Sequence, residues 1–289
     1  MTLFSSATEW PVLGEFDVVV AGAGPAGFGA AIAAARAGSR VVLLEKASFV
    51  GGMATQANCP HIMGMSLDGR QLVGGVADEL CRELDALGHG RIHQGLGPTT
   101  DPLDGKPFTA DLITTIHGIQ LVSGHMLHEA GVYCLFHTHI LEAVREGDRL
   151  TAVAVDCREG LGLIRGKTFV DATGDGLLIR RSGGRGRPAA AEDSMTKTVL
   201  FDFGGVDNFD QTAVIEAFNQ QVRAGTIPVK IQDRFMGFRS IEPGLVHINF
   251  TAVVGDSMNS ADLTRMDREL RDQVEAATPW FRQYIPGFE

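Results

Sequence analysis

The sequence predicts an α/β fold in which a parallel sheet and a three-stranded antiparallel meander precede a mixed α+β domain. A buried β-branched strand, a glycine-rich turn, an alanine-rich helix and a second buried strand follow one another from Phe16 to Glu45. Three strand-like runs separated by turn residues lie between Thr138 and Ala172. After Gly186 the pattern changes to mixed strands and helices. These observations predict an α/β domain followed by a second, mixed domain.

The composition is that of a soluble globular protein and argues against nucleic-acid binding and cysteine-based metal sites. The 289 residues include 44% hydrophobic and 21% charged residues, which is typical of a soluble globular chain. The net charge is −10 and Lys and Arg form no block, so a nucleic-acid partner is not expected. The four cysteines form no CxxC pair, which argues against an iron–sulfur or structural zinc site and favours a reducing, cytoplasmic location.

An uncharged run from Val18 to Ala35 raises the question of a membrane span. Acidic residues precede it where a signal peptide carries positive charge, and glycine and proline interrupt its first third. A buried strand followed by a buried helix explains the run better. We therefore predict no transmembrane segment.

The domain boundaries follow from changes in pattern. Residues 1–13 are predicted to form an N-terminal arm, and residues 14–186 the first domain. Within that domain, 56–110 is an irregular excursion apart from a helix near 76–87, and a helix is predicted over 111–130. Residues 187–289 are predicted to form a substrate-binding or cap domain.

The turn after the first strand carries a GxGxxG motif, from Gly22 to Gly27. In a glycine-rich chain this motif alone is weak, but here it follows a buried strand, opens a helix and precedes an acidic residue at the end of a second strand. In the dinucleotide-binding motif Gly22 permits the tight turn, Gly24 lets the backbone approach a pyrophosphate and Gly27 lets the helix pack closely. The helix N-terminus offers N–H groups to phosphates. The alternative is a purely structural turn.

Glu45 ends the second strand. A carboxylate there accepts hydrogen bonds from ribose hydroxyls and disfavours a 2′-phosphate, which argues against NADP at this site. The region from Phe16 to Glu45 is therefore predicted to be a Rossmann-like unit that binds an ADP-containing dinucleotide.

Two further motifs resemble those of a known family. Gly51-Gly52-Met53-Ala54-Thr55 and the segment from Asp171 to Gly176, which reads DATGDG, resemble elements of the FAD-dependent oxidoreductases that are related to fumarate reductase and share the glutathione-reductase fold. The resemblance implies that FAD is the cofactor, that the meander is the family's antiparallel flap, and that backbone near Ile140 contacts the adenine. It assigns to the cofactor Gly22, Ala23, Gly24, Pro25, Ala26, Gly27, Glu45, Lys46, Gly51, Gly52, Met53, Ala54, Ile140, Ala172, Thr173, Gly174 and Asp175.

The resemblance also carries two expectations about the flavin. Family members with a histidyl–FAD bond carry the histidine just before the glycine pair, where this chain has Ser48-Phe49-Val50, so noncovalent FAD is expected. In the family a further segment normally completes the flavin site. We find no candidate for it after Gly176, and we expect either an incomplete chain or a partner subunit that completes the site.

Other constellations are weaker. His137 and His139 share one strand face, but no third ligand accompanies them and no metal site is predicted. His61 could act as an acid or base near neutral pH, although loop packing explains it better. Arg234, Arg239 and His247 could hold an anionic substrate. None of these assigns a catalytic residue, so the catalytic groups stay unknown.

The functional hypothesis is a FAD-dependent oxidoreductase in which flavin N5 accepts a hydride from a small-molecule substrate. An NAD-dependent dehydrogenase using the same Rossmann-like unit is one alternative, and Gly51-Gly52 with the DATGDG segment speaks against it. A non-catalytic flavin-binding subunit is the other alternative, and the missing flavin-completing segment keeps it open.

Overall fold

A computed structural model describes residues 10–67, 70–92, 99–100, 107–108, 110–186, 195–228 and 231–288. In chain order the strands are β1 (Val12–Ala21), β2 (Val41–Leu44), β3 (His61–Met63), β4 (Ser66–Leu67), β5 (Arg70–Gln71), β6 (Gly90–Ile92), β7 (Thr99–Thr100), β8 (Pro107–Phe108), β9 (Ala110–Thr114), β10 (Tyr133–Leu135), β11 (His139–Glu146), β12 (Arg149–Cys157), β13 (Gly160–Asp171), β14 (Leu200–Phe203), β15 (Ile231–Arg239) and β16 (Val246–Thr251). The helices are α1 (Pro25–Arg36), α2 (Val76–Ala86), α3 (Ile116–Glu129), α4 (Leu177–Arg181), α5 (Gln211–Ala224) and α6 (Ser260–Tyr284).

The chain divides into two units, each built from three separate stretches. The first unit comprises 1–56, 73–87 and 116–187, and the second comprises 57–72, 88–115 and 188–289. The predicted second domain thus corresponds to the last stretch of the second unit. Most of the predicted irregular excursion also belongs to the second unit, while α2 belongs to the first.

One six-stranded sheet organises the first unit, in the order β10-β2-β1-β13-β12-β11. The first four strands are parallel, and β13, β12 and β11 are antiparallel. The strand β13 belongs to both the parallel and the antiparallel part of the sheet, because it pairs with β1 along one edge and with β12 along the other. The predicted parallel sheet and antiparallel meander are therefore one continuous sheet.

Local sequence explains the start of this sheet. The four residues of β2 are all buried, as the uninterrupted aliphatic run of a parallel strand predicts. Pro25 is the first residue of α1, where its missing N–H leaves no helical hydrogen bond unmade. The helix ends at Arg36, and Gly38 follows with φ +89°, a conformation that glycine adopts at little cost.

The second unit contains an antiparallel sheet in the order β14-β16-β15. In β16 the buried residues Val246, Ile248 and Phe250 alternate with polar ones, as expected for a strand with one apolar face. Those apolar side chains form a core with Trp280 and Phe281 of α6, and the ring of Phe250 stacks on that of Trp280 at 5.7 Å. Aromatic rings supply much of the apolar surface that this core buries.

Two sequence-based predictions need correction in the second unit. The stretch expected to be irregular contains a three-stranded sheet, β3-β9-β6, and the two-stranded pairs β4-β5 and β7-β8. The helix predicted over 111–130 begins only at Ile116, because residues 110–114 form β9 between β3 and β6. Among the described residues, no helix combines the length and the hydropathy that crossing a membrane requires.

Candidate functional site

The glycine-rich turn between β1 and α1 is shaped by backbone contacts that exclude side chains. Gly22 has φ +95°, and a Cβ there would lie 2.5 Å from the carbonyl oxygen of Ala172. A Cβ on Gly27 would lie 1.8 Å from the carbonyl oxygen of Gly22. Gly24 caps α1 without a side-chain hydrogen bond, and Pro25 and Ala26 are exposed. The turn therefore presents a bare helix N-terminus, which is a favourable place for phosphate.

The carboxylate of Glu45 ties the end of β2 to this turn. It is 7% exposed, and its Oε2 accepts a hydrogen bond from the N–H of Ala23 at 2.8 Å. Its Oε1 accepts from the N–H of Ala47 at 2.9 Å and from the amide of Gln56 at 3.4 Å. A carboxylate has about four lone-pair sites, so Glu45 retains capacity for a further donor. The predicted ribose contact is compatible with this geometry and stays a prediction.

A second glycine turn lies against the first. Gly51 has φ +115° and Gly52 has φ +51°, and both start a short 3-10 turn over Gly52–Ala54. The N–H of Gly51 donates to the carbonyl of Ala23 at 2.8 Å. A Cβ on Gly52 would lie 2.9 Å from the Cα of Gly24, which is backbone and unable to move aside. The close approach therefore requires glycine at position 52, whereas a Cβ on Gly24 would meet the Cα of Gly52 at an ordinary 4.0 Å.

The residues next to this second turn differ in exposure. Met53 is 64% exposed, and Lys46 is exposed as well. Thr55 is buried, and its hydroxyl donates to the carbonyl of Val50 at 3.0 Å, closing the turn. Met53 and Lys46 are therefore accessible to solvent, and their predicted contact with the cofactor stays a prediction.

The DATGDG segment forms the turn between β13 and α4. The carboxylate of Asp171 accepts two hydrogen bonds from Thr173, one from its N–H at 3.1 Å and one from the Thr173 hydroxyl at 2.7 Å. It also accepts from the N–H of Ile179 at 2.9 Å. The N–H of Ala172 donates to Ala21 at 2.8 Å, which places this turn beside the glycine-rich one. Gly174 and Asp175 are exposed. The motif's first aspartate therefore has a structural role, holding the turn that carries Ala172 to Asp175.

Ile140 lies in β11, apart from these turns in the sequence. Its carbonyl oxygen accepts a hydrogen bond from the guanidinium of Arg181, and the pairing of β11 with β12 shifts register between Ile140 and Glu142. A carbonyl oxygen has two lone pairs, so this bond does not exclude the predicted contact with the adenine. That contact stays a prediction.

A separate polar cluster lies in the second unit. His247 of β16 is the register partner of Asp202 of β14, and its Nδ1 lies 2.6 Å from Oδ1 of that carboxylate. The same oxygen accepts from the amide of Asn58 at 3.2 Å. The ring of His61 meets that of His247 edge to face at 5.2 Å between centroids. Three distant stretches of sequence thus meet here, and sequence reasoning missed Asp202 and Asn58.

Burial and charge set the protonation of this cluster. Burial, with a smaller contribution from the charge of His247, lowers the pKa of His61 to about 3. Burial alone would raise the pKa of Asp202, but the hydrogen bond and charge of His247 and the hydrogen bond of Asn58 lower it. His61 is therefore neutral at neutral pH, which argues against its suggested role as an acid or base there.

Other candidate groups do not assemble into sites. Within the described residues, no group of three or more His, Cys, Asp or Glu side chains could hold a metal ion. His137 has φ +52° and precedes β11, in which His139 is exposed. Burial raises the pKa of Cys59, and it raises that of Cys134 to about 11, so both thiols stay protonated. The side chains of Arg234 and Arg239 lie outside the described part of the structure.

In comparison with known proteins, a single family model matches residues of both units. A family model described as FAD dependent oxidoreductase matches residues 17–289. Over 199 residues the chain is 28% identical to digeranylgeranylglycerophospholipid reductase 2 of Methanopyrus kandleri. That match covers 67% of this chain and 46% of the reductase, so the chain spans less than half the length of this relative.

Solved structures show the same fold at low identity. The flavin-dependent brominase Bmp2 is 17% identical with a TM-score of 0.56, over 94% of this chain and 62% of the brominase. NikD, an amino acid oxidase of nikkomycin biosynthesis, is 17% identical with a TM-score of 0.52, over 94% of this chain and 78% of NikD. At this identity the likeness concerns the fold alone.

Proposed function

Since this chain belongs to the FAD dependent oxidoreductase family, we propose that its first unit binds FAD noncovalently and that the protein oxidises or reduces a small molecule. The observation that carries the proposal is the pair of glycine turns at the start of α1. Gly24 and Gly52 approach so closely that a Cβ on Gly52 would overlap the neighbouring backbone. Beside them lies a helix N-terminus with no side-chain cap.

The residues of the first unit fit the ADP half of FAD. The N-terminus of α1 favours the pyrophosphate, because its unpaired N–H groups carry partial positive charge. Glu45 retains capacity for one further donor, such as a ribose hydroxyl, while the N–H groups of Ala23 and Ala47 fix its orientation. When bound, FAD supplies a two-electron acceptor at its flavin ring. The protein's part would be to hold the ADP half through the N-terminus of α1 and Glu45.

Spectroscopy of the purified chain tests this proposal. We expect flavin-free protein to bind FAD at least as tightly as NAD⁺ in a titration, and to bind NADP⁺ more weakly because the carboxylate of Glu45 disfavours a 2′-phosphate. We also expect acid denaturation to release the flavin into the supernatant, since Ser48, Phe49 and Val50 offer no histidine for a covalent bond. Binding of NAD⁺ in preference to FAD would favour a dehydrogenase instead.

We further propose that polypeptide outside these residues contributes to the flavin site. The support is that the chain covers 46% of the Methanopyrus kandleri reductase and 62% of the brominase. The chain alone is then expected to bind ADP and FAD with similar affinity, because its described contacts serve the ADP half. Stoichiometric, tightly held FAD with normal redox cycling would contradict this part of the proposal. Flavin binding without turnover of any donor would favour a non-catalytic subunit.

A cytoplasmic location completes the proposal. It is supported by the four cysteines, which are all free thiols, since a reducing compartment keeps thiols unpaired. Fractionation of cells that express the tagged protein tests it.

A further inference from the structure

One face of β16 carries polar side chains although most of that strand is buried. His247, Asn249 and Thr251 alternate with the core residues Val246, Ile248 and Phe250, and therefore point to the opposite side of the sheet. Asn249 accepts from the hydroxyl of Thr198 at 2.7 Å, and Thr251 accepts from the N–H of Val199 at 3.1 Å. Both of these polar side chains thus have hydrogen-bond partners within the second unit. Among the described residues, His247 has a partner at only one of its two ring nitrogens.

The hydrogen bond with Asp202 fixes which nitrogen of the His247 ring carries the hydrogen. The carboxylate can only accept, so Nδ1 carries the hydrogen, and Nε2 is an acceptor in the neutral form of the ring. Asn58 holds the same carboxylate oxygen from a backbone with φ +54°. Asparagine adopts that left-handed conformation more readily than most other non-glycine residues, so Asn58 suits this position. The carboxylate is thereby fixed from two sides.

The acceptor atom of this pair has an unused hydrogen-bonding capacity. Nε2 of His247 is buried and has no hydrogen-bond partner among the residues that the structure describes. The side chain of His247 is 5% exposed, whereas that of Asp202 is 32% exposed, so the pair extends from the interior to the surface. A buried acceptor without a partner costs free energy, and a ligand that donates to it recovers that cost.

We propose that the pair of His247 and Asp202 is a proton-accepting binding site for a small molecule with a weakly acidic hydroxyl group. The charge of the pair favours a neutral donor over a preformed anion, because Asp202 already supplies a negative charge. This departs from the expectation that His247 holds an anionic substrate. The inference does not depend on FAD, since every contact on which it rests lies in the second unit.

The proton transfer balances within the site. The O–H bond of the ligand breaks as the Nε2–H bond forms, and the electron pair stays on the ligand oxygen. The resulting imidazolium keeps its Nδ1–H bond to Asp202, whose carboxylate compensates the new charge. His247 contacts the ligand directly, while Asp202 and Asn58 act as positioning residues.

Heteronuclear NMR of the isotope-labelled chain tests the tautomer first. In the ligand-free protein, His247 should carry its hydrogen on Nδ1, with Nε2 unprotonated. The probe para-nitrophenol, added at millimolar concentration with and without FAD, should then shift the His247 resonances and increase the yellow phenolate absorbance. The matched probe para-nitroanisole lacks the hydroxyl and should do neither. Because the readout is a histidine of the second unit, a failure of FAD binding leaves this test interpretable.

Variants separate the positioning role from folding. Asp202→Asn should weaken para-nitrophenol binding about tenfold and abolish the phenolate signal, because the imidazolium loses its compensating charge. His247→Gln should abolish both. The control His125→Gln replaces an exposed histidine of α3 and should bind the probe as the wild type does. A hydrogen on Nε2 in the wild type, an unshifted His247 signal at saturating probe, or unchanged binding in folded Asp202→Asn would each overturn the proposal.

Discussion

At the scale of single residues, Gly27 and Gly29 of α1 should respond differently to substitution by alanine. A Cβ on Gly27 would lie 1.8 Å from the carbonyl oxygen of Gly22, whereas a Cβ on Gly29 would meet nothing within 4 Å. Gly27→Ala should therefore displace α1 from the glycine-rich turn and abolish FAD binding. Gly29→Ala should bind FAD normally and gain about 0.5–1 kcal/mol of stability, because alanine is the better helix former. Flavin titration and thermal unfolding of both variants measure this, and equal FAD affinity would contradict it.

His61 gives a prediction about acid stability. Its pKa falls from 6.5 in the unfolded chain to about 3 in the folded protein, so the unfolded state binds the proton more readily between these values. The free energy of unfolding should fall as the pH drops below about 6.5, with a slope of at most about 1.4 kcal/mol per pH unit from this group. Above pH 6.5 the group contributes no slope.

Denaturant unfolding between neutral pH and pH 4 measures this slope. His61→Gln should flatten it, while His125→Gln, at an exposed position, should leave it unchanged. The lowered pKa of Asp202 acts separately, because its contribution is present above pH 3.8 and is lost only as the pH falls through the folded value. An unaltered slope in His61→Gln would contradict the prediction.

The sequence singled out candidate residues of the first unit, but it did not single out Asn58 or Asp202 of the polar cluster. Gly22, Gly24 and Gly27 are recognisable because their roles depend on neighbours within one turn. The contact of Asn58 with Asp202 joins residues 144 positions apart, and that of His247 with Asp202 joins residues 45 apart. No local pattern encodes such a pairing. The alternation of polar and apolar residues in β16 is the one signal that could have indicated a polar face there.

At the scale of elements, α5 shows a helix whose start depends on one side chain. Asp210 accepts hydrogen bonds from the N–H groups of Thr212 at 2.9 Å and Ala213 at 3.2 Å. Asp210→Ala should cost about 1 kcal/mol of stability, because these donors lose their acceptor. Asp210→Asn keeps the acceptor and should cost much less. Chemical denaturation of the two variants distinguishes them, and equal losses would show that the cap is not the cause.

Element boundaries were predictable where glycine or proline marks them. The helix α1 begins at Pro25, within the motif that was predicted to open a helix, and α5 ends just before Gly225. The junction between β9 and α3 was predicted wrongly, as part of one helix, because neither glycine nor proline separates them. What makes residues 110–114 a strand is pairing with β3 and β6, which are distant in sequence. Tertiary contacts override local propensity there.

At the scale of the whole molecule, the interleaved units make a prediction about truncation. A chain that ends at residue 187 lacks the last stretch of the second unit but keeps 57–72 and 88–115. Amides of β3 should then exchange rapidly, because His61 loses the ring of His247 beside it. Amides of β1 and β2 should stay protected, since their partners lie within the first unit. Hydrogen exchange by mass spectrometry measures both, and persistent protection of β3 would contradict the prediction.

The way the two units share the chain also bears on how the protein is made. The chain passes from one unit to the other five times, and Asn58 leaves the ribosome 144 residues before its partner Asp202. At a synthesis rate of about 5–20 residues per second, that interval lasts roughly 7–30 seconds. During this interval Asn58 and His61 have been synthesised, but Asp202 and His247 have not. The polar cluster therefore assembles only after residue 247 has been synthesised, although Asn58 and His61 are among the first residues of the second unit to be made.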